Sequence, residues 1–260
     1  MNIRCVWEHN GGDTLLYAAD YPGAFARGAS LEAALEKLPE DVRAYLRWAE
    51  MPIPATFEAK IVQEKSSALT IRDADSDVIF DGERLPMSVR EYMALKALAL
   101  KSARDFQRLY DAVPNSERSA LPPRETFYGA LPRTAREMYV HTKNVNRYYF
   151  GEIGVDADND GDIEACRARG FAALELQSSY LNNAVQLGSY DEEWSLRKLL
   201  RRFLWHDRIH ARAMTRMAGR TFPESALPDP FCLTFSGRNS PPRGEYDNQS
   251  THIRKGGFFA

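Results

Sequence analysis

Short runs rich in β-branched and aromatic residues alternate with polar positions over the first 85 of the chain's 260 residues. Four such runs predict strands, the first two as a hairpin around a glycine-bearing turn: residues 3–8, 14–18, 56–63 and 77–80. Between the second and third runs, Ser30 predicts the N-cap of a helix that extends to about Trp48. Pro39 lies inside this helical pattern and predicts a kink or a break. The pattern therefore predicts an α+β domain over residues 1–85.

From residue 86 the apolar positions take on the period of long helices. Thr134 and Ser195 predict N-caps for the second and fourth of these helices. The similar lengths of the four, about 20 residues or ~30 Å each, are typical of an all-α up-down four-helix bundle over residues 86–220. The segment 221–260 is rich in Pro, Gly, Ser and Asn and predicts an irregular C-terminal tail. The predicted helices are residues 89–112, 134–153, 163–186 and 196–217.

The chain is nearly neutral, with 34 basic and 36 acidic side chains and a formal net charge of −2. This balance argues against non-specific nucleic-acid binding, which needs a basic surface. No run approaches the ~20 apolar residues that span a bilayer, and the N-terminus turns polar too early for a secretory signal. The cysteines lie far apart without CxxC spacing, which is typical of reduced thiols: Cys5, Cys166 and Cys232. We therefore expect a cytoplasmic protein with no nucleic-acid or membrane partner.

Two of the five histidines, His206 and His210, are four residues apart in the last predicted helix. At ~100° per residue their rings share one helical face, from which neutral imidazoles bind one transition metal together. His141 lies in the middle of the second predicted helix, so a three-histidine site from two helices is geometrically possible. The same spacing also occurs without a metal, with one ring packed and the other solvated. From spacing alone, both interpretations stay open.

The sequence around these histidines resembles a known family. The segment SLRKLLRRFLWHDRIH, residues 195–210, resembles the last helix of the DinB/YfiT-like superfamily of metal-binding four-helix bundles, and REMYVH, residues 136–141, resembles its second helix. One histidine on the second helix and HxxxH on the fourth reproduce the order of the family motif, over roughly residues 86–220. Members hold a divalent metal, usually zinc or nickel, on three histidines, and include thiol-dependent transferases, an isomerase and hydrolases. The resemblance names no substrate.

The resemblance implies that His141, His206 and His210 are metal ligands, with one open coordination position for water. It implies a metal-dependent hydrolase or thiol-dependent transferase with a small-molecule substrate and, for the transferase, a low-molecular-weight thiol as a further cofactor. A bound divalent cation lowers the pKa of its water from ~15.7 toward ~7 or stabilises a thiolate. Glu137, one turn before His141, is a candidate to contact a metal-binding histidine from outside the metal site or to transfer a proton. Asp207 is expected to point elsewhere. Family bundles tend to pair, which implies a homodimer.

A second resemblance concerns the N-terminal domain. The turn Asp20-Tyr21-Pro22-Gly23, followed by GASLEAAL at residues 28–35, resembles the corresponding turn and helix start of HicB-type antitoxins. The likeness covers roughly residues 1–50 and implies a ββ(β)αβ fold. In antitoxins this module binds a small toxin and often precedes a DNA-binding segment, for which this chain shows no pattern. We expect a reused fold that serves oligomerisation or covers the site of the bundle.

The alternative function is a non-catalytic binding or regulatory protein, whose HicB-like domain makes the partner contacts and whose metal, if bound, is structural. An enzyme needs the metal in a solvent-reachable pocket, which Tyr148 and Tyr149 are candidates to line. A fourth protein ligand closes a structural site instead. Under the alternative, Glu137 is an ordinary packed or solvated helix residue.

An acidic loop at residues 156–162 resembles the start of an EF-hand calcium site. Aspartates at its first, third and fifth positions and glycine at its sixth fit such a loop. Arg167 occupies the twelfth position, where a bidentate glutamate belongs, so an acidic loop leading into a helix is the other interpretation. The basic residues within 199–202 predict a solvated helix face.

Overall fold

The computed structural model describes residues 1–126 and 129–233. The N-terminal part is a four-stranded sheet in the order β3-β2-β1-β4, in which β1 is antiparallel to β2 and parallel to β4. Helix α1 (Leu31–Trp48) connects β3 to β4 and packs against β2 and β3. A mixed α+β fold with an N-terminal sheet is thus confirmed. The strands are β1 (Asn2–Asn10), β2 (Asp13–Ala18), β3 (Phe25–Gly28) and β4 (Glu58–Ser66).

The predicted hairpin forms between β1 and β2, with Asn10 paired to Asp13. The hydrophobic pattern does not predict the short strand β3, because four residues are too few to show an alternation, although the HicB-like resemblance allows a strand before the helix. The strand predicted at residues 77–80 is wrong, since this segment is not a strand and pairs with none of the strands in the described residues. Its backbone carbonyls accept hydrogen bonds from side chains instead: that of Ile79 from Gln63 at 3.0 Å, that of Asp77 from Lys198 at 2.8 Å, and that of Val78 from Arg201 at 2.9 Å.

Helix α1 begins where the sequence predicts, with the Ser30 hydroxyl accepting a hydrogen bond from the N–H of Ala33 at 3.3 Å. The break predicted at Pro39 is wrong, because one helix continues through this residue. Proline removes one backbone hydrogen bond from a helix. Leu38 and Val42, on either side of it, are fully buried in a cluster with residues of the sheet, and their burial offsets that loss.

Four further helices are α2 (Val89–Asp111), α3 (Ala135–Gly151), α4 (Ile163–Glu175) and α5 (Leu196–Thr221). Helix α2 packs against α3, α4 and α5, and α3 packs against α4 and α5. The expectation of four matched lengths is wrong, because α4 has 13 residues and ends well before residue 186. Beyond it, Asn183 adopts a positive φ of 52° and donates hydrogen bonds to the carbonyls of Glu83 and Leu85. A buried asparagine turn therefore replaces the last predicted helical turns.

Two short hairpins are also present, β5 (Glu125–Thr126) with β6 (Gly129–Ala130) and β7 (Gln186–Leu187) with β8 (Glu193–Trp194). None of the helices in the described ranges is long and apolar enough to cross a membrane. Residues 222–233 follow α5 without helix or strand. Phe231 in this segment is buried and stacks on Trp48, with ring centroids 5.8 Å apart. From residue 234 onward, the predicted tail lies outside the described residues.

One hydrophobic cluster joins the sheet to the helices, and its buried members include Leu16 of β2, Phe106 of α2 and Met214 of α5. A close backbone approach occurs at Gly23, which has a φ of +99°. A Cβ at this position would lie 2.8 Å from the Cβ of Leu204, so the turn requires glycine where it rests on α5. The sheet thus supports the helix directly. The domain boundaries near residues 85 and 220 stay predictions.

Basic side chains of α5 enter the interior, so the solvated face predicted at residues 199–202 is wrong. Arg201 is 2% exposed and pairs with the carboxylate of Glu83, donating from Nη2 to Oε2 at 3.1 Å. Lys198, one turn earlier, is fully buried with its Nζ 2.8 Å from Glu192 Oε1, and burial lowers the pKa of Lys198 to about 8. Glu83 on a distant segment and Glu192 just before the helix neutralise these cations, so α5 alone resembles an amphipathic surface helix.

Candidate metal centre

Helices α3 and α5 carry the three histidines predicted as ligands, and each helix begins at the predicted cap. The hydroxyls of Thr134 and Ser195 accept hydrogen bonds from backbone N–H groups of the first turn, at 3.1 and 3.2 Å. Such caps set the residue at which each helix begins. His141 therefore lies about two turns into α3, while His206 and His210 lie in the middle of α5.

The three rings converge between these helices. His141 Nε2 lies 3.2 Å from His206 Nε2, and the centroid of the His210 ring lies 4.7 and 4.4 Å from those of His141 and His206. One ligand atom from each ring lies within 4.8 Å of the others, and within residues 1–126 and 129–233 no other set of three potential ligands does so. Of the remaining histidines, His9 lies in β1 and His252 lies outside the described residues. The role of the three as metal ligands stays a prediction.

Burial lowers the pKa of all three histidines. For His206, repulsion from His210 and then from His141 lowers the pKa further, and for His210 repulsion from His141 does so. For His206, the nearby cations Arg202 and Arg167 also disfavour protonation. The rings are therefore neutral near pH 7, the form in which imidazole binds a metal.

The donor set fits a zinc or nickel ion. Two nitrogens bound at ~2.0–2.1 Å in tetrahedral geometry lie ~3.3–3.4 Å apart. The contact between His141 and His206, at 3.2 Å, is close to this spacing. Imidazole suits both metals, and three protein ligands leave a further position open. In the absence of metal, the same contact is an N–H···N hydrogen bond between two neutral rings.

One ring nitrogen of His206 has no hydrogen-bond partner in the described part of the chain. Nδ1 of His206 is buried and unpaired there, whereas metal-bound histidines usually donate this N–H to a carboxylate or a carbonyl. Tyr149 meets the His206 ring edge-on, with centroids 6.1 Å apart. The orientation of this ring therefore depends on packing.

The histidines are nearly closed to solvent. His206 and His210 are 9% and 8% exposed, while His141 is half-buried and is the most open of the three to solvent. A surface cavity of about 260 Å³ lies farther along α3 and contains none of them; its lining is Arg147, Gly151, Gly154, Val155, Asp156 and Ala157. Solvent or a substrate would therefore approach the three histidines from the side on which His141 lies.

The structure places Glu137 at the beginning of α3. Its carboxylate accepts hydrogen bonds from the N–H groups of Arg133 at 2.7 Å and Thr134 at 3.0 Å. The bond from Thr134 and then that from Arg133 lower the pKa of Glu137. In the described part of the chain its hydrogen bonds all serve this capping box. A part in proton transfer stays a prediction.

Asp207 points away from the histidines, as expected, and forms a fully buried ion pair with Arg167 of α4. Arg167 also donates to the backbone carbonyl of Ala99 in α2 at 3.0 Å, so it joins three helices. Sequence reasoning missed this pair. A signal exists, because Arg167 lies one turn from both Ile163 and Phe171 on the apolar stripe of α4.

The acidic loop at residues 156–162 is engaged by other groups of the chain. Arg169 donates from Nε to the carboxylate of Asp158 at 3.0 Å, and Asp162 caps α4 by accepting from the N–H of Ala165 at 2.7 Å. The residue at the twelfth position of the loop, Arg167, is held in its ion pair. These contacts favour the interpretation as an acidic loop leading into α4.

Comparisons with protein-family models, with curated proteins and with solved structures found no match to the chain. The DinB/YfiT-like and HicB-like resemblances therefore depend on sequence motifs alone.

Proposed function

We propose that the protein is a metal-dependent enzyme of the DinB/YfiT-like type, a hydrolase or a thiol-dependent transferase that acts on a small molecule. The observation that carries this proposal is the convergence of His141, His206 and His210 from two helices. These residues hold zinc or nickel, with a further position open to water or to a low-molecular-weight thiol. A bound divalent cation supplies a nucleophile at neutral pH, because it lowers the pKa of water or stabilises a thiolate.

The chain's own residues keep the ligands neutral, oriented and shielded from water. Burial disfavours protonation of the three rings, so they are ready to bind metal at neutral pH. Tyr149 packs edge-on against His206 and limits rotation of its ring. The buried pair of Arg167 and Asp207 resists rotation of α5 about its axis, which fixes the face on which His206 and His210 lie.

The arrangement of elements supports the same proposal. We propose that α2 to α5 form the up-down bundle of the family, with a shortened third helix, since α2 packs against the other three and α3 packs against α4 and α5. The sheet and α1 then correspond to the HicB-like domain, whose turn at Gly23 rests on α5. This contact favours a covering role for that domain over toxin binding. A cytoplasmic homodimer without nucleic-acid or membrane partners completes the proposal.

Titration with zinc and nickel by isothermal calorimetry tests the proposal. Wild type should bind one metal ion per chain, and His206→Ala and His210→Ala should lose that binding. His9→Ala is the matched control and should bind like wild type, because His9 lies in β1 and pairs with Glu64 at 3.0 Å. Negligible binding by wild type and His206→Ala alike would remove the enzyme proposal. Hydrolysis and thiol-transfer screens of the metal-loaded protein then separate the two reactions.

The limited exposure of His206 and His210 favours one second candidate, a binding or regulatory protein with a structural ion. A structural ion has no exchangeable water ligand, whereas a catalytic one keeps an open position. Cobalt substitution followed by titration with azide distinguishes them. A spectrum that azide does not change would favour the structural role.

A further inference from the structure

The guanidinium of Arg202, which lies on α5 one turn before His206, is close to two buried side chains that carry hydrogen-bond donors, Trp194 and Trp205. The Arg202 side chain is 12% exposed, and its Nη1 donates to the carbonyl of Ser76 at 2.8 Å. Its Nε is buried and has no acceptor within the described residues. Glu192 Oε1 lies 4.0 Å from Arg202 Nη2 but 2.8 Å from Lys198 Nζ, so this carboxylate is held mainly by the lysine. The guanidinium therefore has unused hydrogen-bonding capacity.

Three aromatic rings enclose this guanidinium. The centroids of Tyr149, Trp194 and Trp205 lie 5.6, 5.5 and 5.0 Å from Arg202 Cζ. Trp194 and Trp205 are 0% and 2% exposed, and the indole N–H of each is buried with no acceptor in the described ranges. Three donors on neighbouring side chains thus lack an acceptor. Buried donors without partners are unfavourable and uncommon in folded proteins.

One of these aromatic residues, Tyr149, also lies against a histidine of the candidate metal centre. The Tyr149 ring lies 5.3 Å from that of Trp194 and 6.1 Å from that of His206. Four residues of helix separate Arg202 from His206, which corresponds to ~6 Å along the helix axis. Tyr148 is half-buried and contacts Trp194, with centroids 6.0 Å apart, and forms the outer side of the group. A molecule of a few heavy atoms is long enough to span this distance.

We propose that the substrate carries a carboxylate, which binds Arg202 and the indole N–H groups of Trp194 and Trp205 while the rest of the molecule reaches the histidines. A carboxylate has acceptor sites for all three donors, and arginine binds it through charge-assisted hydrogen bonds. The aromatic rings exclude water, which strengthens those bonds. The substrate is thus a small organic acid. Its reaction at the histidines depends on the proposed function, whereas carboxylate binding does not.

Tryptophan fluorescence of the metal-free protein tests the proposal, because two indoles contact Arg202. The probes are acetate, propionate and benzoate, with the corresponding neutral amides as controls. Wild type should give a saturable change with at least one carboxylate, and the matching amide should bind at least ~10-fold more weakly. Arg202→Met should weaken carboxylate binding by at least ~10-fold, and Arg202→Lys by less, since the charge is kept. Arg220→Met, an exposed arginine on the same helix, is the matched control and should bind like wild type.

Two results would overturn the proposal: no saturable response of wild type to any of the three carboxylates, or equal binding by a folded Arg202→Met variant. If Arg202→Met does not fold, Trp205→Phe keeps a ring and removes one donor, and it should also weaken carboxylate binding. Zinc titration of the same samples separates this proposal from the proposed function. Carboxylate binding without zinc binding would support the carboxylate site and contradict the proposed metal enzyme. Zinc binding without a carboxylate response would support the metal centre and contradict the carboxylate site.

Discussion

Arg167 and Asp207 form a bidentate ion pair whose two side chains are both fully buried. Arg167 Nη1 lies 2.6 Å from Asp207 Oδ2, and Nη2 lies 3.0 Å from Oδ1. The pair joins α4 to the residue that directly follows His206 on α5. The guanidinium also lies over the ring of Phe203, 4.2 Å from its centroid. The interior beside the candidate metal centre is therefore held by a specific polar contact within an apolar core.

Asp207→Ala should strongly destabilise the fold, because it leaves the Arg167 cation buried without its counter-ion. Breaking such a pair costs ~3–5 kcal/mol of unfolding free energy, measured by urea denaturation. The double variant Arg167→Met, Asp207→Leu should be less destabilised than Asp207→Ala, since neither charge of this pair stays buried. Asp158→Ala, which breaks an exposed pair with Arg169, is the control and should leave the midpoint nearly unchanged. A double variant less stable than Asp207→Ala would contradict this account.

Stability of the metal-free protein should fall as the pH falls below ~6.5. The folded-state pKa of each site histidine lies below the value of 6.5 for a free side chain. Below ~6.5 the unfolded chain therefore binds more protons than the folded one, and the unfolding free energy decreases until the folded pKa values are reached. Urea denaturation at pH 7.5, 6.5 and 5.5 measures the slope. His206→Ala should make it shallower, and an unchanged slope would argue against buried neutral rings.

Zinc should stabilise wild type against unfolding. A ligand present at 100 times its Kd stabilises the folded state by ~2.7 kcal/mol if it does not bind the unfolded chain. The increase in Tm should disappear in His141→Ala and persist in His9→Ala. Removal of zinc by a chelator should return wild type to its metal-free Tm. An equal increase in Tm for His141→Ala would place zinc binding elsewhere on the protein.

Gly23→Ala should destabilise the fold more than Gly11→Ala. Both glycines have positive φ, +99° and +80°, so alanine at either costs ~1–2 kcal/mol in backbone strain. A Cβ at Gly23 also meets Leu204 Cβ at 2.8 Å, whereas one at Gly11 meets nothing within 4 Å in the described part of the chain. Overpacking adds ~1–3 kcal/mol at Gly23 alone. Similar losses for the two variants, by thermal or urea denaturation, would show that the contact between this turn and α5 is not close.

Local sequence signals predicted the parts of the fold that depend on neighbouring residues. The caps at Ser30, Thr134 and Ser195 were predicted because each hydroxyl bonds an N–H three residues away. The three histidines were expected together because one helical face and two adjacent helices are enough to bring them close. The metal, the reaction and the family stay predictions, since spacing does not distinguish a metal site from packed histidines.

The sequence did not predict features that depend on contacts between distant segments of the chain. Arg201 was predicted to be solvated because its carboxylate partner, Glu83, lies on a distant segment of the chain. Residues 77–80 have the composition of a strand, but their carbonyls bond side chains of α5 and β4. The early end of α4 depends on Asn183, whose partners are about 100 residues away. In each case a long-range hydrogen bond overrides the local pattern.

Anomalous diffraction from crystals soaked in zinc tests the central claim most directly. The account predicts one strong peak between α3 and α5, at ~2.0–2.1 Å from a nitrogen of each of His141, His206 and His210. Crystals of His206→Ala soaked in the same way should lack it. Electron density without an anomalous peak at this position, with His141 and His206 joined by an N–H···N hydrogen bond, would contradict the account.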